Sequence, residues 1–261
     1  MFFCPPYTVE PCGLFTWGHM ILLLTTAILI AVGLYVSRHM NAREVRRTVR
    51  LVTAILWGLE LFKIIFVLAV TGSRNPNDYI PLYYCSLVLY AGLFSSVGRG
   101  VVQRIGDVFL SSGSIVGGIC FLLCPNTSLP RYPAFHFISF HSFLLHGLMV
   151  YLGLLLLLRG VCRLSMSDLK HCAGLVSAMC LVAWIFNTVW DRLFPHMAVA
   201  NLMFMSKDFP GTPVTVLYRL TGALFPLFMW LIQAFVPFLA VYGVYKIFIY
   251  VSEKKVRNNQ I

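Results

Sequence analysis

Charged residues are scarce in this sequence. They make up 11% of its 261 residues, whereas about a quarter of the residues of a soluble domain are charged. Apolar residues make up 59%, in runs long enough to cross a bilayer, which takes about 20 residues as a helix. This composition excludes an ordinary soluble domain. It predicts an all-α integral membrane protein, a polytopic helical bundle in which residues 1–261 form one transmembrane domain.

Cysteine motifs are also absent. None of the eight cysteines belongs to a C-x-x-C pair, and no spacing of Cys and His is typical of a zinc site. The sequence therefore predicts no metal and no cofactor. Cys4 and Cys12 precede the first apolar run, in a stretch that we expect outside the membrane. For these two, a disulfide and two thiols remain equal alternatives.

Acidic residues are few: Asp and Glu number 9 against 20 Lys and Arg, which gives a net charge of +11. Such a charge can indicate nucleic-acid binding, but the basic residues cluster in short loops between apolar runs. The positive-inside rule explains that distribution better, so we expect no nucleic acid among the partners. The densest basic cluster, from Arg38 to Arg50, predicts a cytoplasmic loop, with the N-terminus outside and the C-terminus inside.

Seven apolar runs predict about seven transmembrane helices. Their approximate bounds are 15–36, 49–70, 79–97, 102–123, 137–158, 172–190 and 220–249. Residues 1–14 contain no Lys or Arg and so lack the basic start of a signal peptide, and we expect the first run to remain as a span. The apolar segment before the last run is expected to fold back onto the outer mouth of the bundle. Pro226 and Pro237 are expected to kink the last helix.

Glu60, Lys63 and Asp107 are charged residues inside predicted spans. Glu60 and Lys63 are three residues apart and share one helical face, where each can neutralise the other in low dielectric. This pattern predicts an intramembrane ion pair, and a structural role and an ion or proton relay both stay open. Asp107, near the inner end of its span, is expected to cap its helix or to pair with Arg104.

A thiol and two imidazoles also lie inside predicted spans. Cys85 is about six residues, and His146 about nine, below the outer boundary, so their depths differ by roughly 5 Å. Ser142 and His146 share one polar face of the fifth span, whereas His141 is rotated by about 140° from His146. Polar groups at this depth are costly and are candidates for function, which makes His146 a better candidate than His141 for an interior site.

A buried thiol needs a base or a positive charge to become a nucleophile, and an imidazole supplies it. Cys85 and His146 can then form an acyl-cysteine intermediate from a lipid ester and pass the acyl group to a hydroxyl. Asn201, Tyr84 and Ser142 are candidate stabilisers of the oxyanion. The alternative interpretation is a small buried cysteine and a hydrogen-bonded core histidine.

Four short motifs carry a resemblance to a known family. Residues 14–19, LFTWGH, resemble the motif F-S-x-x-H, and residues 80–85, IPLYYC, resemble L-P-L-H-x-C. Residues 145–148, LHGL, resemble S-H-G-L, and residues 201–205, NLMFM, resemble N-Y-M-F-L. In this order and spacing the chain resembles the YwaF-like integral membrane family. That family is related to eukaryotic transmembrane protein 164 and more distantly to the androgen-induced lipid hydrolases.

The resemblance implies a lipid-facing bundle of six or seven helices and, for the eukaryotic relative, a phospholipid acyltransferase that uses a Cys and a His. The matching positions here are Cys85 and His146. The family often has His two residues before the Cys, and this chain has Tyr83 there.

These observations lead to a working hypothesis of a membrane-embedded lipid acyltransferase, transacylase or ester hydrolase. Its expected partners are membrane lipids, with a phospholipid as acyl donor and a lysolipid as acceptor. The alternative is a non-enzymatic transporter or small-molecule permease, in which Glu60, Lys63 and Asp107 line a pathway. We expect the protein in the plasma membrane if it is bacterial and in an endomembrane if it is eukaryotic.

Overall fold

The computed structural model describes the backbone of residues 2–258 and the side chains of residues 2–251 and Lys254. Every regular element in these residues is helical. The helices are α1 Trp17–Val36, α2 Ala42–Phe66, α3 Pro76–Tyr79, α4 Leu87–Val97, α5 Val101–Leu110, α6 Gly113–Leu123, α7 Phe137–Leu158, α8 Leu169–Leu193, α9 Pro213–Thr221 and α10 Phe225–Asn258. The protein is a polytopic α-helical membrane bundle.

Six helical stretches are long and apolar enough to cross a membrane, among the residues described. They are Trp17–His39, Ala42–Thr71, Val101–Leu123, Phe137–Leu158, Met166–Leu193 and Pro213–Val251. The third predicted span differs, because only its second half, the 11 residues of α4, is a continuous apolar helix. Pro81 lacks a backbone N–H and disfavours a helical conformation for the residue before it, so the chain from Ile80 to Ser86 does not join α3 to α4 as one helix.

Proline acts differently at the two predicted breaks of the last helix. Pro226 is the second residue of α10, where its missing N–H would have no partner in any case, so it begins the helix rather than kinking it. Pro237 lies inside α10. The chain before α10 forms a separate short helix, α9, which begins at Pro213 after the cap residue Thr212.

Close packing sets the register between α2 and α4. Thr53 of α2 touches Gly92 of α4, where a β-carbon would lie only 2.5 Å from the threonine hydroxyl. One turn further along α2, the indole nitrogen of Trp57 donates to the carbonyl oxygen of Leu89 at 3.2 Å. The two helices are therefore antiparallel. A residue further along α2 therefore packs against a residue closer to the N-terminus of α4.

The expectation for Asp107 is wrong. Its carboxylate accepts two hydrogen bonds from the guanidinium of Arg46, at 2.5 and 2.6 Å, and a third from the hydroxyl of Ser95 at 2.6 Å. Arg104 instead pairs with Asp168 of the loop between α7 and α8, at 2.6 and 2.9 Å. Helix packing brings Arg46 to Asp107 from far along the chain, which places this pair at the end of the bundle that carries the basic loops.

The N-terminal segment lies across the other end of the bundle. Backbone amides of Tyr7, Cys12 and Gly13 donate to carbonyl oxygens in the loop of residues 129–132. Cys4 and Cys12 are not joined by a disulfide.

Candidate functional site

Cys85 lies at the N-terminal end of α4. Its carbonyl oxygen accepts the amide of Val88 at 3.3 Å, and the next residue, Ser86, is the cap residue of the helix. Cys85 as a residue is partly exposed. The first amides of α4, those of Leu87, Val88 and Leu89, donate to the carbonyl oxygens of Tyr84, Cys85 and Ser86, which form the turn that leads into the helix.

A re-entrant segment, residues 199–206, packs against the chain that carries Cys85. The amide of Met203 donates to the carbonyl oxygen of Leu82 at 3.1 Å. The Oδ1 atom of Asn77 accepts both the hydroxyl of Tyr83, at 3.1 Å, and the amide of Asn201, at 2.7 Å. Through Asn77, Tyr83 therefore connects the chain next to Cys85 with the re-entrant segment.

Buried amide side chains hold the re-entrant segment in place. Asn187 of α8 bonds both backbone groups of Leu202, at 3.0 and 3.1 Å, and Gln233 of α10 donates to the carbonyl oxygen of Met203 at 2.9 Å. Met203 and Phe204 have φ angles of 53° and 51°, the left-handed region that side chains other than glycine rarely adopt. Backbone strain of this kind persists only where its surroundings enforce it.

The side chain of Asn201 is fully occupied within its own segment. Its Oδ1 atom accepts the amides of Ser206 and Lys207, at 3.1 and 2.9 Å, and its Nδ2 atom donates to the carbonyl oxygen of Lys207 at 2.9 Å. Asn201 thus shapes the re-entrant turn and has no amide group left for an oxyanion.

Glu60 is the centre of a buried charged network. Its side chain is only 1% exposed, one carboxylate oxygen lies 2.5 Å from Lys63 Nζ, and the other lies 3.5 Å from Nε2 of His141 on α7. The register of α2 against α4 continues from Trp57 and Leu89 to Glu60 opposite Ser86. Glu60 therefore connects the level of Cys85 with α7.

His146 is buried, with 4% of its surface exposed. Its ring stacks on Phe121 of α6 at a centroid distance of 3.6 Å and an angle of 9°. Its Nδ1 atom lies 2.6 Å from the carbonyl oxygen of Ser142, and its Nε2 atom has no hydrogen-bond partner among the described residues. A carbonyl oxygen only accepts, so Nδ1 carries the proton and Nε2 presents its lone pair.

The bond to Ser142 also sets the depth of the imidazole. It turns the ring back by one helical turn, from the level of His146 to that of Ser142. Ser142 follows His141, whose Nε2 atom lies 3.5 Å from a carboxylate oxygen of Glu60. No hydrogen bond joins Nε2 of His146 to the thiol of Cys85.

A family model supplies the comparison with known proteins. The model of the TMEM164 family matches residues 14–248. The chain belongs to the TMEM164 family. The match covers Cys85, His146 and the re-entrant segment together. No curated protein and no solved structure matches the chain.

Tyr84, one of the three oxyanion candidates of this TMEM164-family protein, has a buried hydroxyl. Its ring lies against α6, where a β-carbon on Gly113 would stand 2.6 Å from the hydroxyl oxygen, and that hydroxyl has no partner in the described part of the chain. Ser142 contributes its carbonyl oxygen to His146. Among the side chains that the structure describes, no three of His, Cys, Asp or Glu are grouped so as to hold a metal ion.

Reasoning from the sequence missed the connection between the charged network and the cysteine. In the sequence, Glu60 and Lys63 are recognisable as an ion pair, and His141 as a histidine that does not share the polar helix face of His146. The missing signal was the register of α2 against α4, because Thr53, Gly92, Trp57 and Leu89 look like ordinary packing residues. Only the pairing of these helices brings Glu60 to the level of Cys85.

Proposed function

We propose that this TMEM164-family protein transfers or hydrolyses fatty acyl groups of membrane phospholipids, with Cys85 as nucleophile and His146 as base. The observation that carries the proposal is the environment of His146: Nδ1 donates to the carbonyl oxygen of Ser142, and Nε2 is buried and has no hydrogen-bond partner among the described residues. A buried acceptor without a partner is costly and calls for an explanation. A base that awaits a proton from a thiol provides one.

The first half of the reaction forms an acyl-cysteine. Nε2 of His146 takes the proton of the Cys85 thiol, and the thiolate attacks the carbonyl carbon of a phospholipid ester. The bond from that carbon to the glycerol oxygen breaks. The imidazolium returns its proton to the departing oxygen, which leaves a lysolipid and a thioester on Cys85.

The second half uses the same two residues in reverse. His146 takes a proton from the hydroxyl of an acceptor lysolipid, whose oxygen attacks the thioester. The carbon–sulfur bond breaks, and the Cys85 sulfur regains the proton from the imidazolium. Water in place of the lysolipid gives hydrolysis and a free fatty acid.

The test is mass spectrometry of the intact protein after incubation with mixed phospholipids, with lipid products assayed in the same tube. The wild type is expected to carry a fatty-acyl adduct that hydroxylamine removes, or to release lysolipid or fatty acid. Cys85→Ala abolishes both signals, and His146→Ala slows them by about 100-fold or more. Cys120 and Cys124 are exposed in the span and the loop beside it, so Cys120→Ala and Cys124→Ala control for non-enzymatic acylation. Absence of both adduct and product in the wild type refutes the proposal.

The buried Glu60–Lys63–His141 network is the observation that favours the second candidate, a transporter or small-molecule permease. The two candidates differ in their response to Cys85→Ser. An acyltransferase loses activity while it keeps its fold, whereas a permease tolerates this change and fails with Glu60→Gln. Uptake into proteoliposomes and lipid turnover, measured on the same preparations, separate them.

A further inference from the structure

Lys63 has more hydrogen-bond donors than acceptors around it. Its ammonium group carries three N–H donors, and the only acceptor within hydrogen-bond distance among the described residues is Glu60 Oε1 at 2.5 Å. The side chain is 19% exposed, so it is not fully enclosed by the surrounding helices. An ammonium with unused donors inside a membrane bundle is suited to an anion.

The helix register brings this ammonium to the level of Cys85. Trp57 of α2 contacts Leu89 of α4 through a hydrogen bond of 3.2 Å. One turn towards the N-terminus of α4 reaches its cap residue, Ser86, at the level of Glu60, whose carboxylate contacts the ammonium of Lys63. Cys85 immediately precedes Ser86, in the turn through which the chain enters α4.

Glu60 and His141 fix the position of the ammonium. Glu60 uses one carboxylate oxygen for Lys63 and directs the other at Nε2 of His141, so the carboxylate is held between α2 and α7. Long lysine side chains are flexible, and a partner fixed from two helices restricts where the charge can lie.

We propose that the Lys63 ammonium stabilises the negative charge of the Cys85 sulfur, with Glu60 and His141 as positioning residues. The thiol proton goes to Nε2 of His146, which leaves a thiolate and an imidazolium, and Lys63 keeps all its protons throughout. The role of the thiolate in acyl transfer rests on the proposed function. Its stabilisation by Lys63 does not, because thiol reactivity can be measured without a lipid substrate.

The test is the pH profile of alkylation of Cys85 by iodoacetamide, from pH 6 to 10, in the full-length protein in detergent. Peptide mass spectrometry separates Cys85 from the other cysteines. The titratable groups around Cys85 are Glu60 and Lys63 on α2, His141 and His146 on α7, and the adjacent Tyr83 and Tyr84. Only thiolate reacts, so a loss of positive charge shifts the profile to higher pH while the limiting rate is unchanged.

Lys63→Met is expected to move the midpoint upward by about one pH unit, which slows alkylation about tenfold at pH 7.5. Lys63→Arg keeps the charge and the wild-type profile. If Lys63→Met does not fold, Lys63→Gln replaces it in the test, because the glutamine amide can still donate to Glu60. Lys63→Gln is expected to show the same slow alkylation. Lys207→Met removes a half-exposed lysine and changes nothing.

A profile of Lys63→Met or Lys63→Gln that coincides with the wild type overturns this inference, even if acyl transfer is found. A shifted profile with neither acyl adduct nor lipid product supports the inference and refutes the proposed function. The two proposals therefore fail in different measurements.

Discussion

The Nδ1 atom of His146 lies 2.6 Å from the carbonyl oxygen of Ser142, one helical turn earlier on α7. This single bond decides the tautomer, because the oxygen can only accept. It also holds the ring against Phe121, at a centroid distance of 3.6 Å. The orientation of the ring and its proposed role as a base thus depend on different nitrogen atoms, and substitution can separate them.

We expect His146→Asn to keep the orientation and lose the base. The amide nitrogen of asparagine takes a position close to that of Nδ1 and can donate to the Ser142 carbonyl oxygen, but nothing replaces Nε2. The single-turnover rate of acyl-cysteine formation should fall by about 100- to 10,000-fold, while thermal unfolding in detergent stays cooperative.

His39→Asn serves as the matched control, because His39 is exposed at the end of the bundle that carries the basic loops. It should leave the rate of acylation unchanged. A His146→Asn protein that acylates Cys85 within threefold of the wild-type rate would show that His146 is not the base.

Because the backbone is strained at Met203, we expect glycine to be more stable than alanine at this position, the reverse of the usual order inside a helix. Met203 is fully buried with φ of 53° and ψ of 15°, and a side chain in this region costs about 1–2 kcal/mol. Met203→Ala and Met203→Gly both remove the buried side chain, so their difference reports the backbone. We expect Met203→Gly to be the more stable of the two by about 1 kcal/mol in apparent free energy of unfolding.

Met149 provides the control for that order. It is equally buried but lies in the middle of α7 with helical backbone angles. Here alanine should be more stable than glycine by about 1 kcal/mol. If the same order held at Met203, the turn of the re-entrant segment would be free of the strain that its dihedral angles indicate.

Helix ends were predictable from the sequence where apolar runs met clear boundaries. The first and fifth predicted spans, 15–36 and 137–158, correspond to α1 Trp17–Val36 and α7 Phe137–Leu158. The third did not correspond over its whole length, because composition alone does not distinguish a buried non-helical segment from a helix. Only Pro81 signalled that the chain near Cys85 leaves the helical path.

The site was predictable only as a set of residue types. Buried thiol, imidazole and carboxylate groups are conspicuous in an apolar sequence. Their partners are not, because Arg46 reaches Asp107 and His141 reaches Glu60 across helix contacts that no local pattern encodes. Asn201 illustrates the limit: its side chain bonds amides of its own turn, and a sequence does not reveal which amides lack a partner.

The contact between α4 and α5 should tolerate no side chain at Gly106. A β-carbon there would lie 2.4 Å from both the carbonyl oxygen of Ala91 and the amide nitrogen of Ser95, and backbone atoms cannot move aside without separating the helices. We expect Gly106→Ala to lower the free energy of unfolding by about 3 kcal/mol or to prevent folding.

Gly58 of α2 is the matched control, because a β-carbon there would meet nothing within 4 Å. Gly58→Ala should leave stability unchanged or raise it by about 0.5–1 kcal/mol, as expected for glycine inside a helix. Equal effects of the two substitutions on thermal unfolding would contradict the close packing of α4 and α5.

The ion pair between Arg46 and Asp107 predicts strong coupling of two substitutions. The Asp107 side chain is 5% exposed and that of Arg46 25%, so either single change leaves a charge in apolar surroundings. Arg46→Met and Asp107→Asn should each lower the free energy of unfolding by about 2–4 kcal/mol, and the double variant by less than the sum. The exposed Arg47, one residue further along α2, provides the control: Arg47→Met should have an effect within about 0.5 kcal/mol. Additive losses in this double-mutant cycle would mean that the two charges contribute to stability independently, through separate contacts with the membrane surface or with water.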